Sequence, residues 1–407
     1  MKRSESMLAG GSPIGLYLHI PFCHTRCVYC DFNTYIDLDH LKARYVAALA
    51  RELQLVGTAA GCPDAATIFF GGGTPTALEP AHLGALIEAC RVAFRVAPGA
   101  EITVEANPGT VTTDYLRALR AAGVNRLSFG VQSFHDDELR FLGRLHDAAT
   151  AQEAVRMARA AGFDNLSLDL IFGLPGQPTE RWVATLEEAL ALAPEHLSLY
   201  SLIVEPGTPL HAWVRRGRVA APDDDVAAEM YEHALERLAR AGYAHYEISN
   251  WARVQGEPEG TTPGLASQHN LIYWRNQPYW GVGAGAHSYV NGWRYANVRR
   301  PERYITLVES WEPDAALPVA PAQDVKTVER IDRDLAMGEQ MMLGLRLVRE
   351  GVGEAAFAAR FGCSLDEAYG PTLAEFESWA LIERTPERVR LTARGVMLAN
   401  QVVARFL

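Results

Sequence analysis

Tyr17-Leu-His-Ile-Pro-Phe-Cys23-His-Thr-Arg-Cys27-Val-Tyr-Cys30-Asp-Phe32 is an apolar strand that runs straight into a short loop bearing three cysteines. Thiolates at C-x3-C-x2-C spacing suit an iron-sulfur cluster, and because a cubane has four irons, three cysteines leave one iron without a protein ligand. A small molecule can bind there. Structural zinc more often uses two separated C-x2-C pairs, and no second pair is visible; zinc and an unliganded loop stay as the weaker readings. The other cysteines, Cys62, Cys90 and Cys363, are scattered singly and read as small buried hydrophobes. Six cysteines at irregular spacing in 407 residues do not make a disulfide framework.

Outward from this loop, short apolar runs alternate with amphipathic segments. Strands are expected over 16–20, 67–70, 101–104, 126–129, 165–171 and 196–203. Helices are expected over 39–55, 80–94, 113–122, 147–161 and 179–193, the last with Thr179 opening a capped polar face. Repeated strand-helix units imply an α/β fold with a parallel sheet and right-handed crossovers. Polar and glycine residues collect just after the strands: the cysteine loop, then Gly71-Gly72-Gly73-Thr74-Pro75, Glu105-Ala-Asn107-Pro108-Gly109, Gln132, and Asp169 ahead of Gly173-Leu-Pro-Gly176. In a parallel barrel these converge on one mouth, at the carboxyl ends of the strands. Each alone reads as an ordinary turn; their shared phase is the signal.

The chemistry at such a mouth suits a ligand that chelates iron through an amino and a carboxylate group. Gly72 and Gly73 permit close backbone approach. Glu105 and Asp169 can take ribose hydroxyls or an ammonium, Gln132 either, and Arg144 a carboxylate, with Tyr17 and Tyr29 as aromatic surface. Together they describe a pocket for an adenosyl amino acid.

Composition bounds the rest. Nearly half of the residues are apolar (48%), enough for a large core. A net charge of −11 argues against a general nucleic-acid surface. Residues 1–11 show no apolar signal region or cleavage pattern, and no stretch is long and apolar enough to span a bilayer, so a cytoplasmic protein is expected. Peripheral membrane contact and a homodimer are both compatible with this composition.

The C-x3-C-x2-C loop with Tyr29, followed by Gly-Gly-Gly-Thr-Pro, resembles the radical S-adenosylmethionine superfamily. The longer match is similar to the oxygen-independent coproporphyrinogen III oxidase family: His19-Ile-Pro-Phe-Cys23, Gly71 to Thr76, Val131-Gln-Ser133 and Asp169-Leu-Ile-Phe-Gly-Leu-Pro175. It covers almost the whole chain. The resemblance implies a partial (β/α)6 TIM-like barrel, with Cys23, Cys27 and Cys30 ligating a 4Fe-4S cluster. It also implies that Tyr17, Tyr29, Gly72, Gly73, Thr74, Glu105, Gln132, Arg144 and Asp169 contact S-adenosylmethionine. No catalytic side chain is assigned, and whether the chain is an enzyme is left open.

Two features resemble the haem-chaperone branch of that family, the HemW type, rather than its oxidases. The oxidase pattern carries a further cysteine where this chain has Phe32, and the oxidases have a longer segment ahead of the first strand. In addition, His269-Asn-Leu-Ile-Tyr273-Trp274 is similar to the H-N-x-x-Y-W signature associated with haem in that branch, with imidazole a common axial ligand. The residues alone read His269 as a hydrogen-bonded structural histidine. The resemblance implies a protein that binds haem and passes it to acceptor proteins; the alternative is oxidative decarboxylation of coproporphyrinogen III.

Downstream, Gly281-Val-Gly283-Ala-Gly285-Ala-His287 lacks the context of a dinucleotide fingerprint and reads as a tight bend at the pocket wall. After a Pro- and Ala-rich connection at 315–322, helices at 334–347, 352–361 and 364–379, a hairpin at 381–392 and a last helix at 393–406 resemble a winged-helix domain. Its third helix carries Asp366, Glu367, Glu375 and Glu377, the wrong sign for phosphate contacts. The expected division is a tail over 1–15, the barrel over 16–250, a barrel extension with the haem segment over 251–322, and the winged-helix-like domain over 323–407.

Overall fold

The computed structural model describes residues 13–258, 260–311 and 320–407. The tail up to residue 12 and positions 315–319 of the Pro- and Ala-rich connection lie outside them.

Six strands, β1 (Ile14–Ile20), β2 (Asp64–Gly72), β3 (Arg95–Ala106), β4 (Arg126–Gln132), β5 (Leu166–Phe172) and β6 (His196–Ser201), pair in parallel in chain order. The helices between them are α1 (Lys42–Ala59), α2 (Pro80–Ala93), α3 (Thr113–Ala122), α4 (Asp136–Leu142), α5 (Ala148–Ala160) and α6 (Thr179–Ala191). The strand sequences explain the layers. On β4, Leu127, Phe129 and Val131 are fully buried in the core, while Arg126, Ser128 and Gly130 alternate to the other face. Likewise β5 sends Leu166, Leu168 and Leu170 into the core and Ser167 and Asp169 into the lumen. Burying a core leucine is worth about 2–5 kcal/mol against alanine, so this alternation fixes which way the barrel curls and leaves a polar lumen.

Beyond β6 come α7 (Pro209–Arg215), α8 (Asp224–Arg240), β7 (Tyr243–Glu247), β8 (Asn250–Arg253) and α9 (Gln268–Trp274). Then follow β9 (Tyr279–Val282), β10 (His287–Val290), β11 (Trp293–Ala296), α10 (Pro301–Glu309) and β12 (Glu329–Arg330). β9 pairs in parallel with β1 and β8 antiparallel with β6, so the sheet extends at both edges in the order β12-β11-β10-β9-β1-β2-β3-β4-β5-β6-β8-β7. The barrel is partial. α9 covers its floor: Glu101 on β3 accepts the backbone N–H groups of Gln268 and His269, both at 3.0 Å.

The C-terminal part has its own core and a three-stranded sheet, β13 (Val352–Gly353), β14 (Ile382–Arg384) and β15 (Arg388–Leu391), in the order β13-β15-β14. Around it lie α11 (Arg333–Gly344), α12 (Glu354–Phe361), α13 (Leu365–Ser378), α14 (Ala393–Met397) and α15 (Ala399–Val403), a winged-helix-like arrangement. The expected last helix is broken at Leu398, whose N–H bonds back three residues to Gly395. Gly395 itself lies so close to the Leu381 carbonyl that no side chain fits. Thr179 is not a cap either: Pro178 holds that position, without a side-chain bond.

Among the described residues no helix is long and apolar enough to cross a membrane. Of the scattered cysteines only Cys90 is buried; Cys62 and Cys363 are half-buried, and Cys62 sits in a turn at φ 53°.

Candidate functional site

The cysteine loop is fastened at several points. Cys23 N–H donates to Tyr35 O at 2.9 Å, Val28 N–H to Leu142 O at 3.2 Å, and Leu210 N–H to Val28 O at 2.9 Å. The Asn33 amide donates to Ala284 O and Arg299 O, both at 2.9 Å. The Gly281–His287 bend therefore packs against Asn33 and α1, where Gly283 N–H donates to Glu52 at 2.9 Å, and it does not line the pocket wall.

Cys23, Cys27 and Cys30 are free and half-buried and line one cavity of about 550 Å³ at the carboxyl ends of the strands. Thr74 Oγ1 lies 3.6 Å from Cys23 Sγ, and Arg144 Nη1 donates to Cys27 Sγ at 3.5 Å. Burial pushes the Cys23 thiol up to about 11 and raises that of Cys30. Such thiols ionise readily only against cationic metal. Among the described residues no three His, Cys, Asp or Glu side chains converge on a single-ion site. The donor set of three thiols with hydroxyl and guanidinium support fits a polynuclear cluster, which takes one thiolate per iron, better than it fits one zinc.

The same cavity is lined by Tyr29, Gly72, Gly73, Thr74, Glu105, Gln132, Arg144 and Asp169. Local backbone explains this convergence. Gly72 adopts φ 111°, and a Cβ there would stand 2.3 Å from the His19 ring; at Gly73 one would stand 2.8 Å from Phe22 O. Gly72 N–H donates to Glu105 Oε2 at 3.1 Å. A bulge between Gly130 and Gln132 puts Gln132 at φ 70° and re-aims its side chain. A Cβ at Gly130 would come within 2.8 Å of Gln132 Nε2 and 3.2 Å of Arg144 Nη2. Burial, followed by the neighbouring Asp169, raises the Glu105 carboxyl to about 8. Asp169 is raised by burial and accepts from Ser128 Oγ at 3.0 Å.

Two expected residues lie elsewhere. Tyr17 stands behind Gly71 and donates to His19 Nδ1 at 3.0 Å, the tautomer being set by His19 Nε2–H donating to Asn33 O at 2.9 Å. His269 is buried on the barrel floor, with Thr67 Oγ1 2.7 Å from Nδ1 and Tyr273 Oη 2.9 Å from Nε2; burial depresses it to about 3. Conversely, the reading of the sequence missed Ser128, which its alternation with Gly130 would have flagged. It also missed the exposed Leu145 and Ile203, which with Phe32 rim the mouth.

The Radical SAM superfamily profile matches residues 17–189, and that of the HemN C-terminal domain matches 331–398. The chain is 40% identical to the Heme chaperone HemW of Bacillus subtilis (strain 168), covering 96% of this chain and 98% of the relative. It is 39% identical to that of Mycobacterium tuberculosis (98% and 95%) and 34% identical to that of Escherichia coli K12 (97% and 98%). The solved coproporphyrinogen III oxidase (HemN) of Escherichia coli superposes with a TM-score of 0.79 at 23% identity, over 97% of this chain and 90% of that one, a likeness of fold. On this full-length relatedness the chain belongs to the Heme chaperone HemW family of the radical SAM superfamily.

Proposed function

We propose that this protein is a haem chaperone: it binds haem and passes it to acceptor proteins, and it carries a 4Fe-4S cluster with exchangeable S-adenosylmethionine. The observation that carries the reading is the relatedness over nearly the entire chain to proteins named Heme chaperone HemW. Phe32, 64% exposed at the rim where the oxidase pattern has a cysteine, supports the same branch. The reading places the protein in the cytoplasm.

Cys23, Cys27 and Cys30 would hold the cluster, which supplies one electron for reductive cleavage of a bound sulfonium. The chain's own residues bind and orient. Gly72 and Gly73 leave backbone room, Glu105 and Asp169 accept hydroxyls, Gln132 and Thr74 add hydrogen bonds, Arg144 takes the carboxylate, and Tyr29 closes the wall, with Tyr17 supporting from behind Gly71. In the proposed division, 16–250 hold this site, 251–322 carry the haem segment and 323–407 cover it. Ligation of haem iron by His269 requires exchange of one of its two ring hydrogen bonds. His269→Ala therefore weakens haem binding and leaves cluster absorbance unchanged; undiminished affinity removes His269 from the site.

The oxidase alternative is tested by anaerobic incubation of reconstituted protein with S-adenosylmethionine, a strong reductant and coproporphyrinogen III. Mass spectrometry should find no catalytic protoporphyrinogen. Its formation over many turnovers would replace the chaperone reading.

A further inference from the structure

Below the mouth cavity the lumen holds a cation with no hydrogen-bonded partner among the described residues. Arg126 is 2% exposed, yet among the described residues its guanidinium has neither a hydrogen bond nor an ion pair, and its Nε is fully buried. Thr103, its register partner on β3, is 0% exposed, and its hydroxyl likewise has no partner. Both side chains face the lumen: Thr103 alternates with Glu105, and Arg126 with Ser128, about 6.6 Å further along its strand. Glu105, Ser128 and Asp169 line the mouth cavity, so the two unpartnered groups lie one step deeper on the same faces.

The neighbours do not neutralise this cation at contact. His196 has Ser167 Oγ at 2.8 Å on Nδ1 and Tyr246 Oη at 2.9 Å on Nε2, and His269 is doubly bonded as well. Burial holds both imidazoles neutral. The carboxylates of Glu105 and Asp169 feel Arg126 but are engaged with Gly72 N–H and Ser128 Oγ. A buried guanidinium with no acceptor or counter-charge at contact is costly, and a guanidinium fork beside a hydroxyl donor matches a carboxylate in both geometry and charge.

We infer that the lower lumen is a carboxylate-binding site, in which Arg126 forks onto a single carboxylate and Thr103 Oγ1 donates beside it. The carboxylate has two chemical sources, a free small acid or a propionate arm of a haem reaching in from the mouth. Only the second rests on the chaperone reading.

Formate is the probe for the first source. In calorimetry of the full reconstituted chain, formate at constant ionic strength raises Tm saturably against chloride, and Arg126→Met abolishes that response. Thr103→Val, which keeps the charge, weakens it several-fold and serves if Arg126→Met fails to fold. For the second source, haem is compared with its dimethyl ester. A preference for haem of about tenfold, lost in Arg126→Met or reduced in Thr103→Val, assigns the site to propionate. If formate has no effect, or the same effect in all the variants, and haem and its ester bind alike, the lumen holds only water and the inference is overturned. A wild type that binds neither haem nor ester sinks the chaperone reading, while the formate arm still decides the site.

Discussion

Among the three cysteines of its loop, Cys27 is the one whose thiol sulfur accepts from a guanidinium, that of Arg144, which also donates to Gly130 O at 2.7 Å. Replacing it with alanine removes a proposed cluster ligand without touching the core. Cys27→Ala is expected to abolish cluster absorbance after anaerobic reconstitution while the far-ultraviolet circular dichroism stays as in the wild type. A titrating residue outside the mouth gives a second test. Glu52 is fully buried on α1 and receives Tyr304 Oη at 2.5 Å, Asn297 Nδ2 at 2.7 Å and Gly283 N–H at 2.9 Å. Burial raises its carboxyl from 4.5 to about 7. The folded state therefore binds more protons than the unfolded state across that window, so stability falls as pH rises from 4.5 to 7 and is level above it, a change of about 3 kcal/mol. Urea unfolding at a series of pH values should show this slope flattened in Glu52→Gln; parallel profiles would refute it. At this scale the cysteines and the polar residues after each strand were legible, because their spacing and phase are written in the chain. The hydrogen-bonded state of His269 was legible too and holds in the structure, but its partner Thr67 was not, because the fold brings that residue in from β2.

The elements that aim the site are short and backbone-driven. The Gly71–Gly73 turn lies against the end of β1, and the φ of 111° at Gly72 together with the His19 ring leaves no room for a methyl group. Gly72→Ala should cost about 2–4 kcal/mol in denaturant unfolding, and it should weaken S-adenosylmethionine binding because the N–H that holds Glu105 shifts. Wild-type affinity in a folded variant would contradict the proposed role of this turn. The six parallel strands and five of the six helices between them were readable from periodicity, within a few residues at most ends, whereas the seven-residue α4 was not expected. Three further features were not readable. α9 has only seven residues, and its mixed pattern gives no hint that it covers a barrel floor. The break at Leu398 arises from close packing of Gly395 on Leu381, and the bulge at Gln132 arises from pairing with β5.

Across the whole molecule, arginines fasten the C-terminal domain beneath the barrel. Arg294 of β11 pairs with the buried Glu339 of α11, Arg275 bonds Glu350 at 2.5 and 2.9 Å, and Arg360 donates to Asn276 O at 3.2 Å. Arg294→Ala leaves a buried carboxylate without its partner and should destabilise the domain junction by about 2–3 kcal/mol. Calorimetry would then show the C-terminal domain melting ahead of the barrel; a single unshifted transition would refute the latch. A parallel barrel with a helical C-terminal domain was foreseeable from the order of patterns along the chain, but these latches join residues far apart in sequence and leave no local mark. Haem delivery by this assembly, the proposed function, is measured by transfer. Protein loaded with one equivalent of haem is mixed with an apo-haemoprotein acceptor or with a non-physiological haem scavenger, the two are separated, and the haem in each is measured over time. Saturable loading and faster movement to the acceptor than to the scavenger are expected; no saturable loading, or equal rates to both, would rule out haem delivery by this protein.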